Sequence, residues 1–468
     1  MNQFLILCRQ AIGAEFVLTD EVDTLPFVTD WRQRATGKTL AVLKPGSSHE
    51  VAQLVKLCAQ FSISMVPQGG NTGLVLGSIP DQSGKAVVLS LKRLNRIREI
   101  DTANNTMTVE AGCLLAQVQE AAQQFDRLFP LSLASEGSCT IGGNLSTNAG
   151  GTAVLRYGNA RELCLGLEVI TADGDIWDGL RALRKDNTGY DLRDLFIGAE
   201  GTLGIITAAV IKLFPRPKSQ LTAFAALRDP EAAVALLALA REHCGPMLTG
   251  FELMSAYCLQ LVKKHFPQSP AIFSSDYPHY VLLELSGHDT EANTAETLEN
   301  LFEIAVGGGI VLDVVVASSL AQSKSLWQVR ENISAAQAAE GKNIKHDISL
   351  PASHIATFIS ETDALLSQAY PHCRNVTFGH LGDGNLHYNV SAPENVKDEV
   401  FILEQDKINQ LVHDNVHRHK GSISAEHGLG ALKKEEILRY KSPLEIQMMR
   451  SIKNALDPHL LMNPGKVI

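Results

Sequence analysis

The sequence predicts an α+β protein with more than one domain, and three features of the chain predict it. A short strand runs into a glycine-rich loop early in the chain, a β-α-β-β-α-β order follows the Pro215-Arg216-Pro217 stop, and the end of the chain is helix-rich. At 468 residues the chain exceeds one ordinary core, so two or three domains are expected. The hydrophobic content of 45% is that of a globular protein with ample apolar burial. With 41 basic against 51 acidic residues, the net charge of −10 gives no broad attraction to phosphate backbones, which argues against nucleic acid as a partner. The eight cysteines form no CxxC pair and no close cluster, as expected of reduced thiols in a cytoplasmic protein. The N-terminus has no basic start, and no window has the unbroken apolar length of a membrane span.

In chain order, Ser47-Ser48-His49-Glu50 reads as a capping box opening an amphipathic helix with Val51, Leu54, Val55 and Cys58 on its apolar face. A strand at 63–66 leads into Pro67-Gln68-Gly69-Gly70-Asn71-Thr72-Gly73. Without Cβ atoms, such a loop lets backbone N–H groups approach a diphosphate closely. It has neither the lysine of the P-loop nor the GxGxxG spacing of the dinucleotide turn, and taken alone it fits a nucleotide loop and an ordinary tight turn equally. A second run of small residues, 136–151, has too many Gly, Ser, Thr and Asn to fill a core, yet offers many donors to a flat polar ligand. A strand at 163–171 with an Asp173-Gly174 turn follows, and a third stretch, 196–207, enters another strand.

These three stretches resemble the flavin-binding half of FAD proteins of the vanillyl-alcohol oxidase and p-cresol methylhydroxylase type. The resemblance implies a two-part FAD-binding domain in which Pro67, Gly69, Gly70, Asn71, Thr72 and Gly73 hold the pyrophosphate. It further implies that Gly137, Ser138, Ile141, Gly142, Gly143, Asn144, Thr147 and Gly150 line the cofactor, with Glu200, Gly204, Ile206 and Asn463. Some relatives tether FAD to a histidine in the first loop; this loop has none, so non-covalent FAD is expected. In such proteins the end of the chain returns to the FAD domain.

Beyond residue 217 the expected order is strand 221–227, helix from Asp229 (cap) and Pro230 to Cys244, strand 249–254, strand 280–286, helix 291–305 and strand 311–317. That order is ferredoxin-like, an antiparallel sheet with helices on one face, expected as a lid over the flavin. The domains are therefore expected at 1–217, 218–425 and 426–468, the last a helical segment returning to the first.

On the next helix Arg330 and Ser334 lie one turn apart, and Lys345 follows, a set that fits either a carboxylate clamp or a solvated face. In Gly379-His380-Leu381-Gly382-Asp383-Gly384-Asn385-Leu386-His387-Tyr388-Asn389, a two-residue turn at Asp383-Gly384 would oppose His380 and His387 directly, with Asn389 on the face of His387. Glu426, in Ser424-Ala425-Glu426-His427-Gly428, offers a third ligand. Two histidines, one carboxylate and an open position suit catalytic zinc, although manganese and iron also accept such a set.

Together Arg330, Lys345, His380, His387, Glu426 and His427 resemble the D-2-hydroxyglutarate dehydrogenases, among the FAD-linked 2-hydroxyacid dehydrogenases, over roughly residues 40–468. Ser334 stands where that family is expected to have threonine, a change that keeps the hydroxyl. The resemblance implies oxidation of D-2-hydroxyglutarate to 2-oxoglutarate by hydride transfer to flavin N5, with electrons passed to an electron-transfer flavoprotein or quinone. D-lactate, D-malate or glycolate is the alternative substrate. In that chemistry His427 is the base and touches substrate, Asn389 holds the first carboxylate, and Arg330, Ser334 and Lys345 hold the distal one. A homodimer is compatible with this reading.

Overall fold

The computed structural model describes residues 2–468 and divides into two units. The first comprises 1–150, 158–216 and 426–468; the second comprises 151–157 and 217–425.

In the first unit, helix α1 (Ser48–Phe61) begins as its sequence demands: Ser47 accepts the Glu50 N–H at 3.2 Å. The reciprocal bond differs from a capping box, because the Glu50 carboxylate takes the N–H of Gly46 at 2.7 Å. Strand β1 (Ser64–Gln68) pairs in parallel with β2 (Ala86–Ser90), and short strands 42–43 and 17–18 complete a four-stranded sheet. A second sheet is antiparallel, in the order β3 (Ile97–Asp101), β4 (Thr106–Glu110), β7 (Ile205–Lys212), β5 (Cys164–Ile170) and β6 (Ile176–Gly179). Between β4 and β5 the run of small residues is ordered as a one-and-a-half-turn helix, α2 (Ile141–Ser146), capped by Thr140. The tail rejoins this unit: Met462 bridges Met65 of β1 in parallel, and the Asn463 N–H donates to the Met65 carbonyl at 2.8 Å.

The second unit holds one eight-stranded sheet. Its first four strands are β8 (Ser219–Leu227), β9 (Leu248–Ser255), β10 (His279–Gly287) and β11 (Asp313–Val316), with helices α3 (Pro230–Cys244) and α5 (Glu291–Gly307) in the crossovers. They lie in the order β11-β8-β10-β9, the ferredoxin-like arrangement. The start of α3 is as read: Asp229 caps it through the Ala232 N–H at 2.7 Å, and Pro230 takes the first turn. Two features depart from the sequence expectation. An additional helix, α4 (Ala256–His265), leaves β9, and with α6 (Leu320–Glu340) it covers the face bearing Phe224, Met254, Tyr280 and Leu282, so this layer has helices on both faces. The sheet also continues past β9 through β14 (Arg374–His380) and β15 (Asn385–Ser391) to β12 (Asn343–Ile344) and β13 (Asp347–Ser349), with α7 (Ile355–Ala369) before β14.

Candidate active site

The first two glycine-rich stretches fold against each other within the first unit. A Cβ at Gly69 would lie 2.3 Å from Thr140 Oγ1, and one at Gly70 would lie 2.2 Å from the Ser138 carbonyl, so only glycine permits this approach. Gly73 and Gly137 instead face open space. Asn71 adopts φ 58°; its amide donates to the Thr29 carbonyl at 2.8 Å and accepts from Ser78 at 2.8 Å, which fixes the loop's shape. Two of the residues expected at a cofactor keep an unmet buried atom: Asn144 Nδ2 and Asn463 Oδ1. An unmet buried polar atom costs about 1–3 kcal/mol, so a polar ligand group at each is the physical remedy, and the cradle fits FAD. Glu200, at φ 52°, ties the tail in place, its carboxylate accepting the N–H groups of Leu429 at 2.7 Å and Gly430 at 2.9 Å. Burial pushes its carboxyl up, against the pull of those amides.

In the second unit the hairpin turn is longer than two residues. Residues 381–384 join β14 to β15, and His387 lies opposite Phe378 rather than His380. Gly379, at φ 156°, takes a backbone form at the strand end that a side chain would resist, and a Cβ there would lie 2.6 Å from the Asn385 carbonyl. The two-residue shift keeps both imidazoles on one face, with ring centroids 6.0 Å apart. Glu426 follows directly on Ala425, the last residue of the second unit, whose N–H donates to the Asp347 carbonyl at 3.3 Å. Ligand atoms of His380, His387 and Glu426 lie within 4.8 Å of one another, as do those of Asp347, Glu426 and His427.

Behind the histidines stand two carboxylates that the sequence alone did not single out. Glu252 on β9 is 0% exposed and is the direct cross-strand partner of His380. Its Oε1 accepts from His380 Nδ1 at 2.5 Å, and its Oε2 accepts from Arg330 Nε at 2.8 Å, with Nη2 in ion-pair contact at 2.8 Å. Burial alone would push this carboxyl up, but with no cation bound the charges and hydrogen bonds of a protonated His380 and of Arg330 outweigh it and hold the value at about 2. Asp347 Oδ1 lies 3.9 Å from His387 Nδ1 and accepts from the Asn385 amide at 3.0 Å. A carboxylate hydrogen-bonded behind an imidazole, as Glu252 is behind His380, sets tautomer and orientation at metal centres, so the donor set fits a divalent cation. A charged residue among Phe251, Leu253 and Met254 was the signal available for Glu252.

The residues expected to bind substrate fall into two groups. Arg330 is buried, 8% exposed, with its guanidinium 4.8 Å above the Phe378 ring. Ser334, one turn later, is exposed, as is Lys345 in the short loop between β12 and β13. Asn389 is buried; its Oδ1 accepts from the His346 N–H at 3.1 Å and its Nδ2 donates to Gln337 at 2.9 Å.

A loop cradle that fits a flavin and an imidazole and carboxylate cluster suit a flavin oxidoreductase, and comparison with known proteins establishes the class. Residues 39–179 match the family described as FAD binding domain, and residues 216–467 match FAD linked oxidases, C-terminal domain. The chain belongs to the FAD linked oxidases and is an FAD-dependent oxidoreductase. Among its relatives, the D-2-hydroxyglutarate dehydrogenase of Xanthomonas citri pv. viticola is 39% identical over 463 residues, covering 99% of this chain and 96% of that protein. The mitochondrial D-2-hydroxyglutarate dehydrogenase of Arabidopsis thaliana is 38% identical over 462 residues, covering 98% of this chain and 80% of that one. The crystal structure of p-cresol methylhydroxylase with substrate bound shares the fold with a TM-score of 0.78 at 16% identity, covering 100% and 96% of the two chains. Among the described residues no helix is long and apolar enough to cross a membrane.

Proposed function

We propose that this protein is an FAD- and divalent-metal-dependent dehydrogenase that oxidises D-2-hydroxyglutarate to 2-oxoglutarate and passes its electrons to an electron-transfer flavoprotein or quinone. The observation that carries the reading is the convergence of His380, His387 and Glu426, with His380 Nδ1 already committed to Glu252. When bound, the flavin supplies a two-electron acceptor and the cation a Lewis acid for the substrate hydroxyl. His380, His387 and Glu426 hold the cation, and zinc suits two imidazoles and a carboxylate. His427, next in sequence to Glu426, takes the hydroxyl proton as general base. Asn389 orients the first carboxylate, and Arg330, Ser334 and Lys345 receive the distal carboxylate of a five-carbon diacid. FAD is held non-covalently by the two packed glycine loops, with Asn144 and Asn463 offering their unmet atoms to it.

A second reading, dehydrogenation of D-lactate, D-malate or glycolate, draws support from one observation. Arg330 spends Nε and Nη2 on Glu252, which leaves only part of its fork for a distal carboxylate. The test is anaerobic bleaching of the visible flavin band by D-2-hydroxyglutarate, its L isomer, D-malate and D-lactate, before and after chelator treatment. Rapid bleaching by the D diacid, abolished by chelator, is the expected result. Faster bleaching by D-lactate selects the second reading, and a colourless protein overturns both.

A further inference from the structure

Glu252 sits in the interior of the eight-stranded sheet, where an ionised carboxylate is costly without a counter-charge. A buried ion pair by itself is weak grounds for function, since apolar replacements of similar volume often fold as well. What distinguishes this one is its third member. One carboxylate oxygen takes the His380 Nδ1 proton and the other takes the Arg330 Nε proton with Nη2 in ion-pair contact, so the two partners do not compete for the same oxygen.

We infer that Glu252 is a positioning residue that fixes His380 as a metal ligand and Arg330 as an anion clamp through a single carboxylate. The inference rests on the metal site proposed above. With Nδ1–H donated to Glu252, His380 has only the Nε2 lone pair to offer, and the hydrogen bond raises its basicity as a ligand. Arg330 neutralises the carboxylate and lies with its guanidinium 4.8 Å from the centre of the Phe378 ring, which is itself 4.9 Å from that of His387. Substrate clamp and metal ligand therefore share one support, and a change in Arg330, which is no ligand, is felt by the metal.

The test uses the full-length, flavin-loaded protein and titrates zinc alone against a competing chromophoric chelator, with KM and kcat measured at saturating zinc. In Glu252→Gln one of the two partners must face an amide N–H, so zinc affinity falls by about 10–100-fold at unchanged flavin content. KM for the hydroxy acid rises in the same variant as Arg330 loses its anchor. Glu252→Asp restores part of the affinity, and Arg330→Lys loses it several-fold without touching a ligand. Equal zinc affinity in wild type and Glu252→Gln overturns the inference while leaving the proposed function standing. Should Glu252→Gln fail to accumulate, unchanged affinity in Arg330→Lys overturns it instead. A wild-type protein that takes up no zinc overturns the proposed metal site and this inference together.

Discussion

Glu200 in the first unit and Glu252 in the second are both buried carboxylates, and their environments drive them in opposite directions. Glu200 meets the backbone amides of Leu429 and Gly430, with weaker pulls from the charges of Lys466 and Lys433, and together these do not offset its desolvation, so its carboxyl is pushed up. Glu252 meets, when no cation is bound, a protonated imidazole and a guanidinium, which hold its carboxyl at about 2 despite complete burial. Depth alone therefore says little about the charge of a buried acid; how strongly its partners offset desolvation decides. The first carboxylate staples loop to tail, whereas the second positions chemistry.

The largest expected break in this comparison is at the ligand that Glu252 supports. His380→Ala is expected to remove the metal and reduce turnover to background while the flavin stays bound, because the glycine loops belong to the other unit; metal analysis beside the visible flavin spectrum checks this. Next comes stability. Glu252→Ala leaves Arg330 buried without its partner, an expected loss of about 3–5 kcal/mol, against about 1–3 kcal/mol for Glu200→Ala, which strands only two backbone donors; denaturant unfolding with a stated metal content separates them. A smaller effect, about tenfold, is expected for Lys345→Ala on kcat/KM with diacids and less with monoacids, since only a diacid meets the lost ammonium. Equal losses on the two substrate classes would remove the distal clamp from the reading.

The smallest effect lies in the pH dependence of unfolding. A carboxyl raised above its unfolded value of 4.5 binds its proton more tightly when folded, so the contribution of Glu200 is fully present below that value and fades as pH rises through the raised one. Glu340 has the opposite sign. Burial works against its charge, but hydrogen bonds from Lys264, His265 and Arg374 hold it down at about 2, so its contribution is present above 4.5 and is lost as pH falls towards 2. Glu200→Gln should flatten the stability profile above 4.5, and Glu340→Gln should flatten it below.

Legibility in the sequence followed how local each feature is. Asp229-Pro230 opens α3 because a cap and a fixed φ act on their own neighbours, and the six-element order after residue 217 could be read for the same reason. The hairpin was legible as a hairpin but not in register, because residues 381–384 form a four-residue turn and Gly379 kinks the strand end. Alternation still put His380 and His387 on one face, since a slip of two residues preserves it. Glu252 was not read: its partners lie 78 and 128 positions away, and nothing within β9 names them. The same distance hid the Asn389 contact with Gln337 and the sheet continuing from β9 into β14.

The parallel bridge from Met462 to Met65 bears on how the chain is made. Strand β1, which carries the first glycine loop, lies at the edge of its sheet, and among the described residues its outer side pairs with 461–463. Apart from residues 151–157, the second unit is one continuous segment that a ribosome completes before that edge is covered. A nascent chain therefore carries an open strand edge through the whole synthesis of the second unit, an interval in which pairing with a neighbouring chain competes with the arrival of its own tail.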